Sequence, residues 1–423
     1  MLIQFNFKNF KSFRDDTTLD LSATKITEHS DRVISIGNEK VLPVGAIYGA
    51  NASGKTKLLE AFMYMCNYVI ESFAFGGDVD ERKNQKGFVR PTPFLFDKKS
   101  KEAESTFEVY FIGDEKENYK SYNYGFSIDA YGVKEEWLNT RAKYSRGGYK
   151  NIFYRNRDEK VLELDGLTKQ AQENIKTALE NETLIVSLGA KLKVEKLKCV
   201  RNWFLNILYT DFGNPVFDLI SSRVLPKNFG EDEKIRQDVV RYLSSFDESI
   251  VDFKVEKETK DVDQKVFKVR ALHKEVNTDE VIPLSLGQES AGTLKMFALY
   301  PNLQRVIENG GVLVIDELNA RLHPLLVRNF LISFLDPKIN KHHAQIIFTT
   351  HDAWMLANNL LRRDEIWFTE KDSDGVSSLY SLVDIEEDGS KIRKDENYEK
   401  NYLLGKYGGI PVLKTLMGME DNE

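Results

Sequence analysis

Gly49-Ala50-Asn51-Ala52-Ser53-Gly54-Lys55-Thr56 is the stretch that decides the fold. It fits the pattern G-x-x-x-x-G-K-[ST], and its flanks have the character that pattern requires. Val44-Gly45-Ala46-Ile47-Tyr48 before it forms a short apolar strand, and Leu58, Leu59, Phe62, Met63, Cys66 and Val69 after it recur at helical spacing. Glycines let such a loop wrap until its backbone N–H groups converge on one point, and the helix start adds partial positive charge there. The loop is therefore a phosphate cradle: Gly49, Asn51, Ser53 and Gly54 shape it, Lys55 reaches the β- and γ-phosphates of ATP, and Thr56 holds Mg²⁺. A chance glycine turn would rarely come with both the strand and the helix.

Three more pieces belong with it. Gly311-Val312-Leu313-Val314-Ile315-Asp316-Glu317 is an unbroken apolar run, as in a strand buried on both faces, and it ends in two carboxylates. Open α/β sheets bind ligands at that end of their strands. Asp316 is placed to complete a Mg²⁺ shell through water, and Glu317 to polarise an attacking water as general base. Two solvated acids closing a strand are the ordinary alternative, disfavoured beside a phosphate loop. Ile346-Ile347-Phe348-Thr349-Thr350-His351 repeats the arrangement, which puts His351 near a γ-phosphate as a third catalytic candidate with Glu317 and Lys55. Ser290-Ala291-Gly292-Thr293 opens a helix. Ser290 can serve as a plain N-cap, or the small residues can form an anion site, and spacing alone does not choose.

Around these motifs the chain alternates. Ile3, Phe5 and Phe7, then Leu19 and Leu21, mark N-terminal strands. Residues 105–157 show the alternation of a twisted antiparallel sheet; 168–182, 192–209 and 232–247 read as helices; strands return near 250–256 and 265–272; strand–helix alternation runs on to about 382; and 395–417 looks helical with a Gly-Gly break. Residues 76–89 read as a polar loop. The fold class is α/β: a P-loop NTPase head with a mixed sheet, N-terminal antiparallel strands and an inserted α+β segment. Residues 1–75 and 280–390 are expected to build the head, 76–279 the insert and 391–423 a helical tail. No heptad array predicts a long coiled coil.

Composition bounds the function. The 423 residues are 41% hydrophobic and 30% charged, a globular balance, with net charge −7 that argues against a uniformly basic nucleic-acid surface. No apolar run approaches the ~20 residues needed to cross a bilayer, and the opening residues do not read as a secretion signal, so the cytoplasm is the expected setting and no membrane partner is expected. Cys66 and Cys199 fit neither zinc spacing nor a disulfide framework. Residues 141–160 carry Arg141, Lys143, Arg146, Lys150, Arg155, Arg157 and Lys160 among Tyr144, Tyr149, Phe153 and Tyr154. That mixture can bind nucleic acid, but a solvated hairpin is the simpler reading. The run Lys191–Arg201 reads as a solvated helix face, and Asp372-Ser373-Asp374-Gly375 as a hairpin turn rather than a nuclease metal site.

Taken in order, phosphate loop, long insert, Ser-x-Gly-Thr helix start, Asp-Glu strand and strand-end histidine resemble the ABC-type ATPases of the SMC and RecF kind, whose first strand and turn Phe7–Phe13 also resembles. More narrowly, Asp316-Glu317-Leu318-Asn319-Ala320-Arg321-Leu322-His323-Pro324 and the tail Lys400–Pro411 are similar to the AAA, ABC-like ATPases linked to abortive-infection and restriction operons, the RloA-like group. The resemblance implies that Ser290, Gly292 and Thr293 act as a signature loop on ATP bound by a second subunit, in a homodimer or higher oligomer, with Asn319–His323 at the seam and Arg321 a candidate trans contact. It implies an ATP hydrolase that gates a separate effector, a nuclease being one candidate, in anti-phage defence. The alternative is a RecF-like repair ATPase acting directly on DNA. Two departures are Ala291-Gly292 where paired glycines are usual, and Ala52 where many relatives carry glycine. The glutamine-bearing loop of this class has no obvious equivalent; Thr183-Leu184-Ile185-Val186-Ser187 is the strand expected in its place.

Overall fold

The structure is a computed structural model, and it describes residues 1–75, 89–214, 216, 225–226, 228–244, 246–260, 264–278, 280–356, 360–387 and 390–411. Its centre is a six-stranded sheet in the order β11-β15-β16-β5-β17-β18, formed by β5 (Val44–Gly49), β11 (Ile207–Asp211), β15 (Val312–Asp316), β16 (Gln345–Thr349), β17 (Ile366–Lys371) and β18 (Ser377–Ser381). All neighbours run parallel except the β17–β18 hairpin. Every residue of β5, β15 and β16 is buried, which is why their sequences are continuous apolar runs rather than alternating ones.

A second sheet of seven antiparallel strands lies in the order β10-β9-β8-β7-β6-β1-β2: β1 (Leu2–Lys8), β2 (Thr17–Asp20), β6 (Ser105–Ile112), β7 (Ser121–Asp129), β8 (Gly132–Arg141), β9 (Lys150–Asn156) and β10 (Val161–Glu163). β6 pairs with β1, so the strands read as an insert and the N-terminal strands make one continuous sheet. Helix Lys55–Glu71 lies between the two sheets: Leu58, Leu59, Phe62, Met65, Cys66 and Val69 share one core with Phe5, Phe7, Phe107 and Ile47. Cys66 is a buried free thiol, as its place on the apolar face predicted. The opposite face of the central sheet, through Val44, Ala46, Tyr48, Leu313 and Phe348, packs on helices Ala291–Asn309 and Pro324–Leu335. One fully buried side chain ties the sheets together: Gln345 donates to the carbonyls of Leu2 and Leu42 (both 2.9 Å) and accepts from Leu2 N–H (2.6 Å). β3 (Ile34–Ile36) and β4 (Glu39–Val41) pair as a short hairpin, and a smaller three-stranded sheet, β12 (Ile250–Lys260), β13 (Gln264–Lys274) and β14 (Val281–Ser285), precedes the helix that opens at Ser290.

Three expectations are corrected. Thr183–Ser187 is not a strand; helix Ile185–Lys191 begins there. The buried Glu136 carboxylate of β8 accepts the N–H groups of Ile185 (2.8 Å) and Val186 (3.2 Å), satisfying first-turn donors that β-branched propensity alone would have left in a strand. The helix expected over 192–209 ends at Leu205, and Ile207–Asp211 becomes β11, the neighbour of β15. The tail is helical only over Tyr398–Leu403, then turns through Gly405, Gly408 and Gly409 at positive φ; residues 412–417 of the expected helix, and 76–88 of the expected loop, lie outside the described residues. Asp372–Gly375 is a hairpin turn, with Asp372 Oδ1 accepting the N–H groups of Asp374 and Val376. Among the described residues the longest helix is the 19-residue Ala291–Asn309, and no helix is long and apolar enough to cross a membrane.

Candidate nucleotide site

Parallel strands deliver their C-terminal ends to one edge, and the motif residues sit on those ends. β5 runs out at Gly49 (φ 154°), the loop turns through Ala52 (φ 64°) and Gly54 (φ 122°), and the helix starts at Lys55. Gly49 admits no Cβ: one would stand 2.5 Å from Thr369 Oγ1 and 2.6 Å from Ser53 Oγ. Those two hydroxyls share a buried 2.5 Å hydrogen bond, so β17 braces the loop from behind. Ala52 occupies the left-handed region, a cost of about 1–2 kcal/mol for an L-residue that a glycine there would avoid.

Lys55 is buried and donates to the carbonyls of Gly49 and Ala50 (2.9 Å each), with His351 Nδ1 at 3.5 Å. Burial lowers its pKa to about 8, against the opposing pull of Asp316 and Glu317. Burial, followed by the Lys55 charge, also holds His351 below the usual histidine range. A neutral imidazole can accept from Lys55 through one nitrogen and donate through the other.

The carboxylates are held by β16. The Thr349 hydroxyl donates to Asp316 Oδ1, and its oxygen accepts Glu317 N–H (2.8 Å). Glu317 itself lies at φ 54°, turning the chain sharply out of β15. Its side chain is directed at Gly213, where an added Cβ would lie 2.5 Å from Glu317 Oε2 and 3.2 Å from Asp211 Oδ1. Asp211 is the partner of Asp316 in the parallel register, and its pKa is raised by burial and then by the charges of Asp316 and Glu317. Asp211-Phe212-Gly213 thus stands beside the two acids at the end of the neighbouring strand. Sequence reasoning missed it because the helical spacing Leu197, Val200, Phe204 runs straight into Ile207; the signal was the run Ile207-Leu208-Tyr209-Thr210 ending in an acid, the same form as Val312–Asp316.

A cleft of ≈ 340 Å³ is lined by Asn51, Gly54, Lys55, Thr56, Glu317 and His351, and also by Lys11, Ser12, Lys57 and Lys371. Lys11 and Lys57 both pair with Glu60. The cations around this cleft suit a polyphosphate. Among the described residues no group of three or more His, Cys, Asp or Glu has metal-holding geometry. Mg²⁺ does not need one: it is commonly held by one or two protein oxygens with the phosphates and water completing its shell; Thr56 supplies a hard oxygen donor in the cleft, and the buried Asp316, bonded to Thr349, ends the strand from which Glu317 lines it.

Ser290, Gly292 and Thr293 do not line that cleft. Ser290 is exposed and caps helix Ala291–Asn309, its Oγ accepting Thr293 N–H (3.0 Å). Gly292 faces the loop after Glu317; an added Cβ would be 3.5 Å from the Arg321 carbonyl. Lys295, fully buried on the same helix, donates to the carbonyls of Phe212 (2.5 Å) and Ala320 (3.1 Å). The basic stretch 141–160 also resolves: Arg155 is buried against Glu136 (3.2 Å) and donates to the Thr183 carbonyl, and Arg157 pairs with Asp129. Both are structural, and neither is a free phosphate ligand.

A glycine-rich loop entering a helix at the C-terminal edge of a parallel sheet, with paired carboxylates on a strand of that sheet, defines an α/β P-loop nucleotide-binding protein. The chain belongs to the family described as "AAA domain, putative AbiEii toxin, Type IV TA system", whose model matches residues 45–354. It is similar in structure to an Smc head bound to the C-winged helix domain of ScpA (16% identity, 90% of this chain and 97% of that one, TM-score 0.44). The SMC head domain from Thermotoga maritima (14%, 91% and 99%, TM-score 0.41) and the recombination mediator RecF with ATP (12%, 90% and 97%, TM-score 0.38) are also similar. No curated protein matches the chain.

Proposed function

We propose that the chain binds ATP in the Lys11–Lys55–Lys371 cleft and hydrolyses it, with a second copy completing each site. The observation that carries this reading is the placement of Lys55, Asp316, Glu317 and His351 at one edge of one parallel sheet, with Thr349 bonded to both acidic residues. Lys55 exchanges its carbonyl partners for phosphate oxygens, whose negative charge favours the ammonium in a site where burial disfavours it. Glu317 takes the proton of the attacking water, and His351 donates to the γ-phosphate. Thr56 and Asp316 would hold Mg²⁺, which neutralises phosphate charge when bound.

Ser290, Gly292 and Thr293 lie outside the cleft, Ser290 exposed, Gly292 facing the Arg321 loop and Thr293 buried behind Ser290, and this supports the loop's acting on ATP held by a second copy. Assembly then becomes the chemical switch, and the assembled pair gates a separate effector protein. The toxin and toxin–antitoxin wording of the family supports a setting in anti-phage defence, with a nuclease as the candidate effector. Direct DNA action is the rival, and it loses Arg155 and Arg157 as contacts.

Glu317→Gln tests the catalytic reading: ATP binding is retained while phosphate release falls at least about a hundredfold. Phosphate release at the wild-type rate would contradict it. Stimulation of hydrolysis by DNA in place of a partner protein would favour the rival.

A further inference from the structure

A closed hydrogen-bond circuit joins the three-stranded sheet to the Ser290 loop. Ser290 Oγ and the Thr293 hydroxyl are 2.8 Å apart, and Thr293 Oγ1 lies 3.5 Å from Asp247 Oδ2. Asp247 Oδ1 accepts both the N–H (3.0 Å) and the hydroxyl (2.5 Å) of Ser249. Ser249 Oγ is 2.9 Å from His273 Nδ1, and His273 Nε2 is 2.8 Å from Glu289 Oε1. Glu289 precedes Ser290 in the chain, so the circuit closes on itself.

The atoms dictate its direction. The Ser249 hydroxyl has one hydrogen, and its short approach to a carboxylate commits that hydrogen to Asp247. Ser249 Oγ is therefore left as an acceptor for His273 Nδ1–H, and because Nε2 faces a carboxylate oxygen, a ring that satisfies both neighbours donates through both nitrogens. The Glu289 carboxylate is 4% exposed and the imidazole 15%, so this pair is shielded more than a surface ion pair and holds its geometry correspondingly better. His273 is on the middle strand of its sheet, opposite Ile250 on β12 and Ile282 on β14. The central sheet meets the same helix beyond the loop, where Lys295 donates to the Phe212 and Ala320 carbonyls; at Gly292 itself an added Cβ would be nearest the Arg321 carbonyl, Ser290 Oγ and the tip of Leu322.

We infer that His273 is the positioning residue of the Ser290–Thr293 loop, so that the three-stranded sheet sets whether this loop can engage ATP held by a second copy. The inference rests on the composite-site reading and adds its regulation: a partner that shifts β12–β14 changes hydrolysis without touching the ATP cleft.

The test uses the full chain carrying His273→Ala. Its affinity for ATP stays within about twofold of wild type, because no residue of the cleft is altered, while kcat falls about tenfold or more through misplacement of the loop. His273→Gln, whose amide can still donate toward Glu289, recovers part of the loss. Should His273→Ala fail to fold, Ser249→Ala opens the same circuit from the other side of the ring and is read in the same way. An unchanged kcat in the folded variant overturns the inference, as does a kcat loss that only follows lost ATP binding. Glu317→Gln run beside it separates the two claims: inactive Glu317→Gln with fully active His273→Ala removes only the positioning role, whereas active Glu317→Gln removes the catalytic reading beneath it.

Discussion

The phosphate loop and the Ser290 loop are supported in different ways. At the phosphate loop, Gly49, Asp316, Thr349 and Asp211 all end parallel strands, and the backbone ladder alone brings them to one edge. At the Ser290 loop no strand of that sheet ends; the loop hangs from a helix start and from the side chains of Asp247 and Ser249, just before β12, and of His273 on β13. A site built on strand ends is rigid and always assembled. A site hung on side-chain hydrogen bonds is adjustable, because each such bond adds only about 0.5–1.5 kcal/mol net. On the proposed function, the difference would separate nucleotide capture, set by the sheet, from engagement of a second copy, set by contacts that a partner can alter.

The largest effect expected at the rigid end is from Lys55→Ala. It removes the buried ammonium that faces the phosphates, and ATP affinity measured by calorimetry falls about a hundredfold or more. Retained affinity would mean that Lys11, Lys57 and Lys371 carry the binding and that the strand edge is not what organises it. Thr349→Val comes next. It keeps the shape of the side chain but removes the hydroxyl that serves both Asp316 and Glu317, so kcat falls about tenfold with little change in ATP affinity. Gly213→Ala should act in the same direction, since its methyl would press on the Glu317 carboxylate; a kcat equal to wild type would show that Glu317 reaches water from another rotamer.

The smallest effect concerns the frame behind the rigid end. Arg362, Asp364 and Glu365 are buried; Arg362 is bonded twice to Asp364, and Asp364 accepts from Thr24. Burial raises the Glu365 pKa to about 8, and its Oε1 has no hydrogen-bond partner. Between the ordinary carboxylate range and pH 8, the folded chain therefore keeps a proton that the unfolded chain releases. Stability should fall as pH rises through that window and level off above it. Glu365→Gln should flatten this slope in urea titrations while leaving hydrolysis unchanged; an unaltered slope would place the titration elsewhere.

The same contrast explains what could be read from the sequence. Strand–loop–helix at 44–71, the acids after Val312–Ile315 and the polar end of Ile346–Phe348 were legible because each motif is contiguous and its geometry follows from strand ends. Asp211 was hidden where a helical spacing ran into a strand with only Asn206 between them. Thr183–Ser187 misled because its β-branched residues favour a strand, while the buried Glu136, distant in sequence, captures the first-turn N–H groups of a helix. Arg155 looked available for phosphate because nothing local announces its partner Glu136 on β8. His273 and Asp247 gave no signal at all, since a circuit of single side chains from separate elements leaves no pattern in one sequence.

The composite site is tested most directly by mixing two inactive variants. Glu317→Gln keeps its Ser290 loop but lacks the base; Ser290→Arg keeps its cleft but blocks the loop. Each alone should be nearly inactive, and an equal mixture should regain up to about a quarter of wild-type hydrolysis, because half of the pairs are mixed and each mixed pair holds one intact site. A mixture no more active than the sum of its two components would contradict a site shared between two copies.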